Sequence, residues 1–287
     1  MKRISTRLAI LLLLAAGFLP SADAQVLKNL VNNMKNNIGN KATPPPPGGV
    51  PSARSKPSIS PADSAAAIKG FMSGKGGGGL LYQYRVTYSF SMGKKDSVAS
   101  DTTATAITDA HNVRTDMGSL GNRMSVLGHA DMPRYSITLH PDSKTYTFNI
   151  IDTAAINSSN SLTYQVTKVG NETIQGYNCI HSKMVTIVSG KTRVTEDIWT
   201  STDVPGYATL KSLMTMQNVT PKMIQALDQA GCGGMFVKMT MQSTAFSMEM
   251  VLIGAGRKTF PDSMFLLPAG YTQATAANHF AYKSPKQ

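Results

Sequence analysis

The stretch "LLYQYRVTYSFSM", residues 80–92, decides the fold class. Tyr82, Tyr84, Val86, Tyr88 and Phe90 occupy successive even positions, with Gln83, Arg85, Thr87 and Ser89 between them. Residues two apart in an extended chain point to one face, so this alternation specifies a β-strand with one apolar side. A helix would need its apolar residues three and four apart.

The same period runs outward along the chain. Residues 135–151 read as two strands around the turn "HPDSK", and 162–170, 177–188, 192–201, 235–242 and 245–254 read as further strands. "NETIQG", 171–176, is the expected turn before Tyr177, with Gly176 supplying backbone freedom. "FLLPAGY", 265–271, is the last structured element. One helix interrupts the strands: Thr220 and Pro221 suit the N-cap and first turn, Met223, Ile224, Leu227 and Ala230 form a stripe, and Gly231 suits the C′ position. A second helix is expected over 61–72, opened by Ser60 and Pro61. "GKGGGG", 74–79, matches G-x-G-x-x-G formally, but follows a helix and precedes a strand, the reverse of a dinucleotide loop, so it reads as a flexible joint. About ten strands in antiparallel-type succession, with no β-α-β alternation, give an α+β, mainly β class: one large sheet with helices on one face.

The N-terminus speaks to compartment. Lys2, Arg3 and Arg7 precede the apolar run "LAILLLLAAGFLP", 8–20, and Ala22 and Ala24 form an A-x-A site. This is the pattern of a secretory signal peptide over 1–24, so the chain is expected to be exported, to a periplasmic or extracellular place. The run is shorter than the roughly 20 residues a membrane-spanning helix needs. Residues 25–60 carry Lys28, Lys35, Lys41, Arg54 and Lys56 with no acid, and include four consecutive prolines. They read as a basic, disordered linker able to dock on an anionic envelope surface; export argues against nucleic acid as its partner. The expected organisation is therefore signal peptide 1–24, linker 25–60, helix and joint 61–79, β domain 80–273 and a basic tail 274–287.

The two cysteines, Cys179 and Cys232, suggest one disulfide in an exported chain, worth about 4 kcal/mol by loop closure. Two free thiols are the other reading. The 17 methionines include three M-x-M pairs, 214/216, 239/241 and 248/250. On a strand each pair puts two thioethers on one face. These residues suit core filling, an adaptable apolar cavity, or Cu(I) ligation. The expected cavity lining is Met223, Leu227, Met239, Met241, Phe246, Met248 and Met250. His111, His129, His140, His181 and His279 are scattered, with no H-x-x-x-H or C-x-x-C spacing, so neither a metal site nor a cofactor is expected. His181, Ser182, Glu196 and Asp197 supply the residue types of a hydrolase, but no G-x-S-x-G accompanies them, and no catalytic role is assigned.

"YQVTKVGNETIQGYNC" (164–179), "EDIWTSTDVPGY" (196–207), "GMFVKM" (234–239) and "FLLPAGY" resemble a family of exported Gram-negative proteins, a domain of unknown function. That family in turn is similar to the lipoprotein-carrier, LolA/LolB-like superfamily. The resemblance implies a curved antiparallel half-barrel with helices on its concave face, and a lipid or other apolar ligand held non-catalytically between them. An envelope interaction module and a copper-handling protein are the alternative functions.

Overall fold

The computed structural model describes residues 65, 68–92, 95–119, 122–132, 135–150, 162–188, 191–209, 211, 222–242 and 246–274. The expected signal peptide and basic linker, Met214, Met216, Thr220, Pro221 and most of the C-terminal tail lie outside them.

The described strands form one twelve-stranded sheet: β1 (Gly77–Met92), β2 (Lys95–Thr108), β3 (Val113–Ser119), β4 (Asn122–Gly128), β5 (Tyr135–His140), β6 (Thr145–Ile150), β7 (Leu162–Ile174), β8 (Tyr177–Val188), β9 (Lys191–Ser201), β10 (Met235–Gln242), β11 (Phe246–Phe260) and β12 (Thr272–Gln273). Their order is β12-β6-β5-β4-β3-β2-β1-β11-β10-β9-β8-β7. All pairings are antiparallel except the two-residue β12–β6 pairing, which is parallel. The mainly β, single-sheet expectation therefore holds.

The order also dictates curvature. The chain runs outward from β1 to β6 on one side, then re-enters at β7 on the opposite edge and returns to β1. Between Ile150 and Leu162 there are twelve Cα steps, a span of at most about 42 Å fully extended. Ten strand spacings separate β6 from β7, about 48 Å in a flat sheet. A flat sheet is therefore too wide for its own connection, and the sheet must curl.

The alternation in residues 80–92 is realised: Leu80, Tyr82, Tyr84, Val86 and Tyr88 are all buried. They share a face with the helix α1 (Lys222–Gln229), whose Met223, Ile224 and Leu227 join the same core. We call this the inner face. Gly231, at φ 67°, ends α1. The Cys232 N–H reaches the Leu227 carbonyl and the Gly231 N–H that of Asp228, the paired bonds of a Schellman cap. The phenol of Tyr207 and the ammonium of Lys211 hold Asp228 from the preceding segment.

Helical residues 68–71 lie on the other side. Phe71 packs with Leu127, Ile137, Leu139 and Tyr146, which by register share the face opposite Tyr82 and Val113. One expected helix thus covers the inner face and the other region of helix the outer one. His129 anchors the second core, its ring 4.5 Å from Phe71 and its Nε2 2.7 Å from the Phe265 carbonyl oxygen.

Three sequence expectations need correction. The glycine-rich segment is not a joint: Gly77, Gly78 and Gly79 open β1 and pair with both β11 and, at Gly79, β2. The turn after β7 is two residues, not six. Strand β7 continues through a bulge between Lys168 and Gly170 to Ile174, and Gln175 (φ 51°) and Gly176 (φ 81°) alone turn the chain. Two positive φ values are the signature of a tight hairpin turn whose twist matches the strands. Strands β2, β3 and β4 were not expected at all.

Candidate functional site

The inner face carries the site. Met239 on β10 stands directly across from Met250 on β11, and Met241 across from Met248. All four are buried. Strand β1 continues both rows, with Val86 opposite Met250 and Tyr88 opposite Met248. In the other direction β9 sets Ile198 opposite Met239 and Glu196 opposite Met241. Strand β8 then sets Ser182 opposite Ile198 and Met184 opposite Glu196. One continuous row therefore reads Met184, Glu196, Met241, Met248, Tyr88. Met223 and Leu227 belong to the same core from α1. Phe246, the remaining expected lining residue, pairs with Phe90 at the end of its strand.

Glu196 is the anomaly in this row. It is partly accessible while Met184 and Met241 on either side are buried. Among the described residues no hydrogen bond or ion pair reaches its carboxyl. Desolvation by its surroundings pushes its pKa from 4.5 up to about 7. The carboxyl is thus partly accessible yet strongly desolvated by the side chains around it. Tyr164 of β7 feels it: burial first, then the charge of Glu196, push that phenol up to about 12. The next row outward, Tyr164, Thr186 and Val194, is partly exposed.

The hydrolase-type residues are divided between two faces. His181 and Asp197 meet on the outer face at 3.0 Å. Ser182 and Glu196, one position away in each strand, point inward, and the Ser182 hydroxyl donates to the Ile198 carbonyl at 3.4 Å. The outer face here is a ladder of polar and aromatic groups. The rings of His181 and Trp199 stack at 4.3 Å, the Trp199 indole N–H donates to Glu172 at 2.6 Å, and Lys238 sits 5.1 Å from the Trp199 ring while pairing with Glu249. Among the described residues no group of three or more His, Cys, Asp and Glu side chains is arranged to hold a metal ion.

The expected disulfide is not formed: Cys179 and Cys232 are both free, buried thiols. Cys179 is opposite Glu172, on the face of Trp199. Cys232 follows α1, and its carbonyl accepts from Thr200. Both belong to one buried cluster.

Sequence reasoning placed the methionines but passed over Glu196 as a solvated residue beside Trp199. The signal was available in its parity: Val194, Glu196 and Ile198 share one phase of the strand, the apolar one.

A model of the family described as "Domain of unknown function (DUF4412)" matches residues 95–271. No curated protein matches the chain. Similar solved structures include a LolA superfamily protein from Nitrosomonas europaea (9% identity, 64% of this chain and 89% of that one, TM-score 0.27). Another is a putative outer membrane lipoprotein-sorting protein domain from Vibrio parahaemolyticus (10% identity, 71% and 94%, TM-score 0.28). A third is a DUF1329 family protein from Desulfovibrio piger (10% identity, 67% and 90%, TM-score 0.27).

Proposed function

This chain belongs to the domain-of-unknown-function family DUF4412, and for it we propose a non-catalytic role in the cell envelope: binding a lipid or other apolar ligand against the methionine rows of the inner face. The observation that supports this most is the pairing of Met239 with Met250 and Met241 with Met248. Thioether side chains are unbranched, polarisable and adaptable, so a face built from them can repack around an apolar chain with little strain. The partly exposed row Tyr164, Thr186, Val194 supplies a route of entry. Burial of ligand surface drives binding at roughly 25 cal/mol per Å² before ordering costs. The signal-peptide pattern of residues 1–24 supports delivery to the envelope, and the basic residues of 25–60 suit an anionic surface there.

The test is native mass spectrometry of gently purified protein, together with an apolar fluorescent probe. Co-purifying lipid, or a probe signal lost on adding fatty alcohol, supports the reading. Neither lipid nor probe binding defeats it. A second reading has one observation in its favour: the same register brings four thioethers into one patch, which suits Cu(I). Cu(I) titration unaffected by Met→Leu changes at 239, 241, 248 and 250 would dispose of it.

A further inference from the structure

The apolar-ligand reading leaves one residue unused. A carboxyl set between Met184 and Met241 is a poor lining for a hydrocarbon chain, because a charge in an apolar site is costly unless it is paired. The chain itself supplies no pair among the described residues. The strands beside Glu196 present methionines to it. From β7 the titratable group that feels its charge is Tyr164, an acid itself. The lysines of these strands are turned away: Lys183 lies opposite Asp197, and Lys238, paired with Glu249, lies opposite Trp199. Lys168, opposite Ser182 on the inner face, is exposed at the sheet edge. Below the carboxyl lie buried methionines, and above it the partly exposed row.

We propose that the occupant of this face is a cationic amphiphile: an apolar chain bearing a single protonated amine, with the chain along the methionine rows and the ammonium against the Glu196 carboxylate. The inference rests on the apolar-ligand reading and narrows its ligand class. Charge complementarity selects the occupant. An ammonium contributes the missing partner and up to three N–H donors, an alcohol contributes one donor and no charge, and a fatty acid brings a second negative charge against the same carboxylate. At pH 8 the empty site holds its carboxylate at a cost that a bound ammonium offsets, so binding and ionisation of Glu196 are coupled.

Three twelve-carbon probes separate the possibilities: dodecylamine, dodecanol and dodecanoate, titrated calorimetrically below their micelle-forming concentrations into the full mature chain and into Glu196→Gln at pH 8. The expected result is dodecylamine at least tenfold tighter than dodecanol, with dodecanoate weakest. Glu196→Gln should remove the amine preference, and a cooperative thermal melt of the variant, at or above the wild-type temperature, shows that it is folded. Equal binding of amine and alcohol, or preference for dodecanoate, overturns the inference and leaves the apolar-ligand reading standing. An amine preference that survives in Glu196→Gln also overturns it. Binding of none of the three probes defeats both.

Discussion

Glu196 and Asp197 are neighbours in the chain and stand on opposite faces of the sheet. Asp197 meets His181 at 3.0 Å on the outer face, while Glu196 is flanked across the strands by Met184 and Met241 on the inner face. Two carboxyls one residue apart therefore obey different physics.

The first prediction concerns pH. In the folded protein, desolvation raises the Glu196 pKa from 4.5 to about 7. Between those values the unfolded chain has lost this proton and the folded chain keeps it. Folding stability contributed here is greatest below pH 4.5, falls as pH rises through the window, and is flat above it. Glu196→Gln cannot titrate, so it should gain about 1–3 kcal/mol on wild type at pH 8 and little at pH 4. Urea unfolding at the two pH values measures this. A gain that is equal at both pH values refutes the desolvated carboxyl. Asp197→Asn, at a partly exposed ion pair, should change stability by less than about 1 kcal/mol.

The second prediction concerns the methionine pairs. Met239 and Met241 are buried against Met250 and Met248. Met239→Ala and Met241→Ala should each cost about 2–4 kcal/mol, as truncation leaves a cavity. The Leu variants, of similar volume, should cost less than about 1.5 kcal/mol. Ala variants as stable as wild type would show that the facing thioethers are not packed together.

Much of this was legible in the sequence, and the failures share a cause. Residues 80–92 revealed a strand because large aromatic side chains fell on one phase. Strand β2, "KDSVASDTTATAIT", was missed because, Ile107 apart, its buried positions hold small groups: Thr103 on the inner face and Ala106 on the outer one. Alternation carries information only when the two phases differ in size and polarity. β3 does carry the contrast, with Val113, Thr115 and Met117 buried on the inner face while Arg114 and Asp116 bond each other on the outer one, but over only seven residues. The site splits the same way. The methionines were visible as M-x-M pairs, but that 239 faces 250 is a matter of strand register between two segments, which no local pattern prints. Glu196 was legible only by giving strand parity more weight than charge.

The third prediction tests the glycine-rich entry to β1. A Cβ built on Gly79 would run into the Ile107 carbonyl oxygen of β2, whereas one on Gly256 of β11 meets nothing within 4 Å. Both glycines lie in paired strands. Gly79→Ala should therefore destabilise by about 2 kcal/mol or more, because the β1–β2 ladder has to shift. Gly256→Ala should be neutral to slightly stabilising, since it restricts the unfolded chain without a clash. Thermal melts of both variants decide it. Equal melting temperatures would mean that Gly79 is a loose joint after all.

The fourth prediction concerns the thiols. A Cys179–Cys232 bridge would close a long loop and stabilise by about 4 kcal/mol, yet disulfide geometry demands Cα atoms within about 7 Å and facing Cβ atoms. Cys179 lies opposite Glu172, the Cys232 carbonyl accepts from Thr200, and both thiols are free. Burial raises the pKa of both thiols, so little thiolate is present at neutral pH. The native protein should react slowly with a thiol reagent, two thiols should titrate in denaturant without reductant, and reductant should leave the melting temperature unchanged. Zero titratable thiols in denaturant, with a melting temperature that drops on reduction, would overturn the free-thiol state of Cys179 and Cys232.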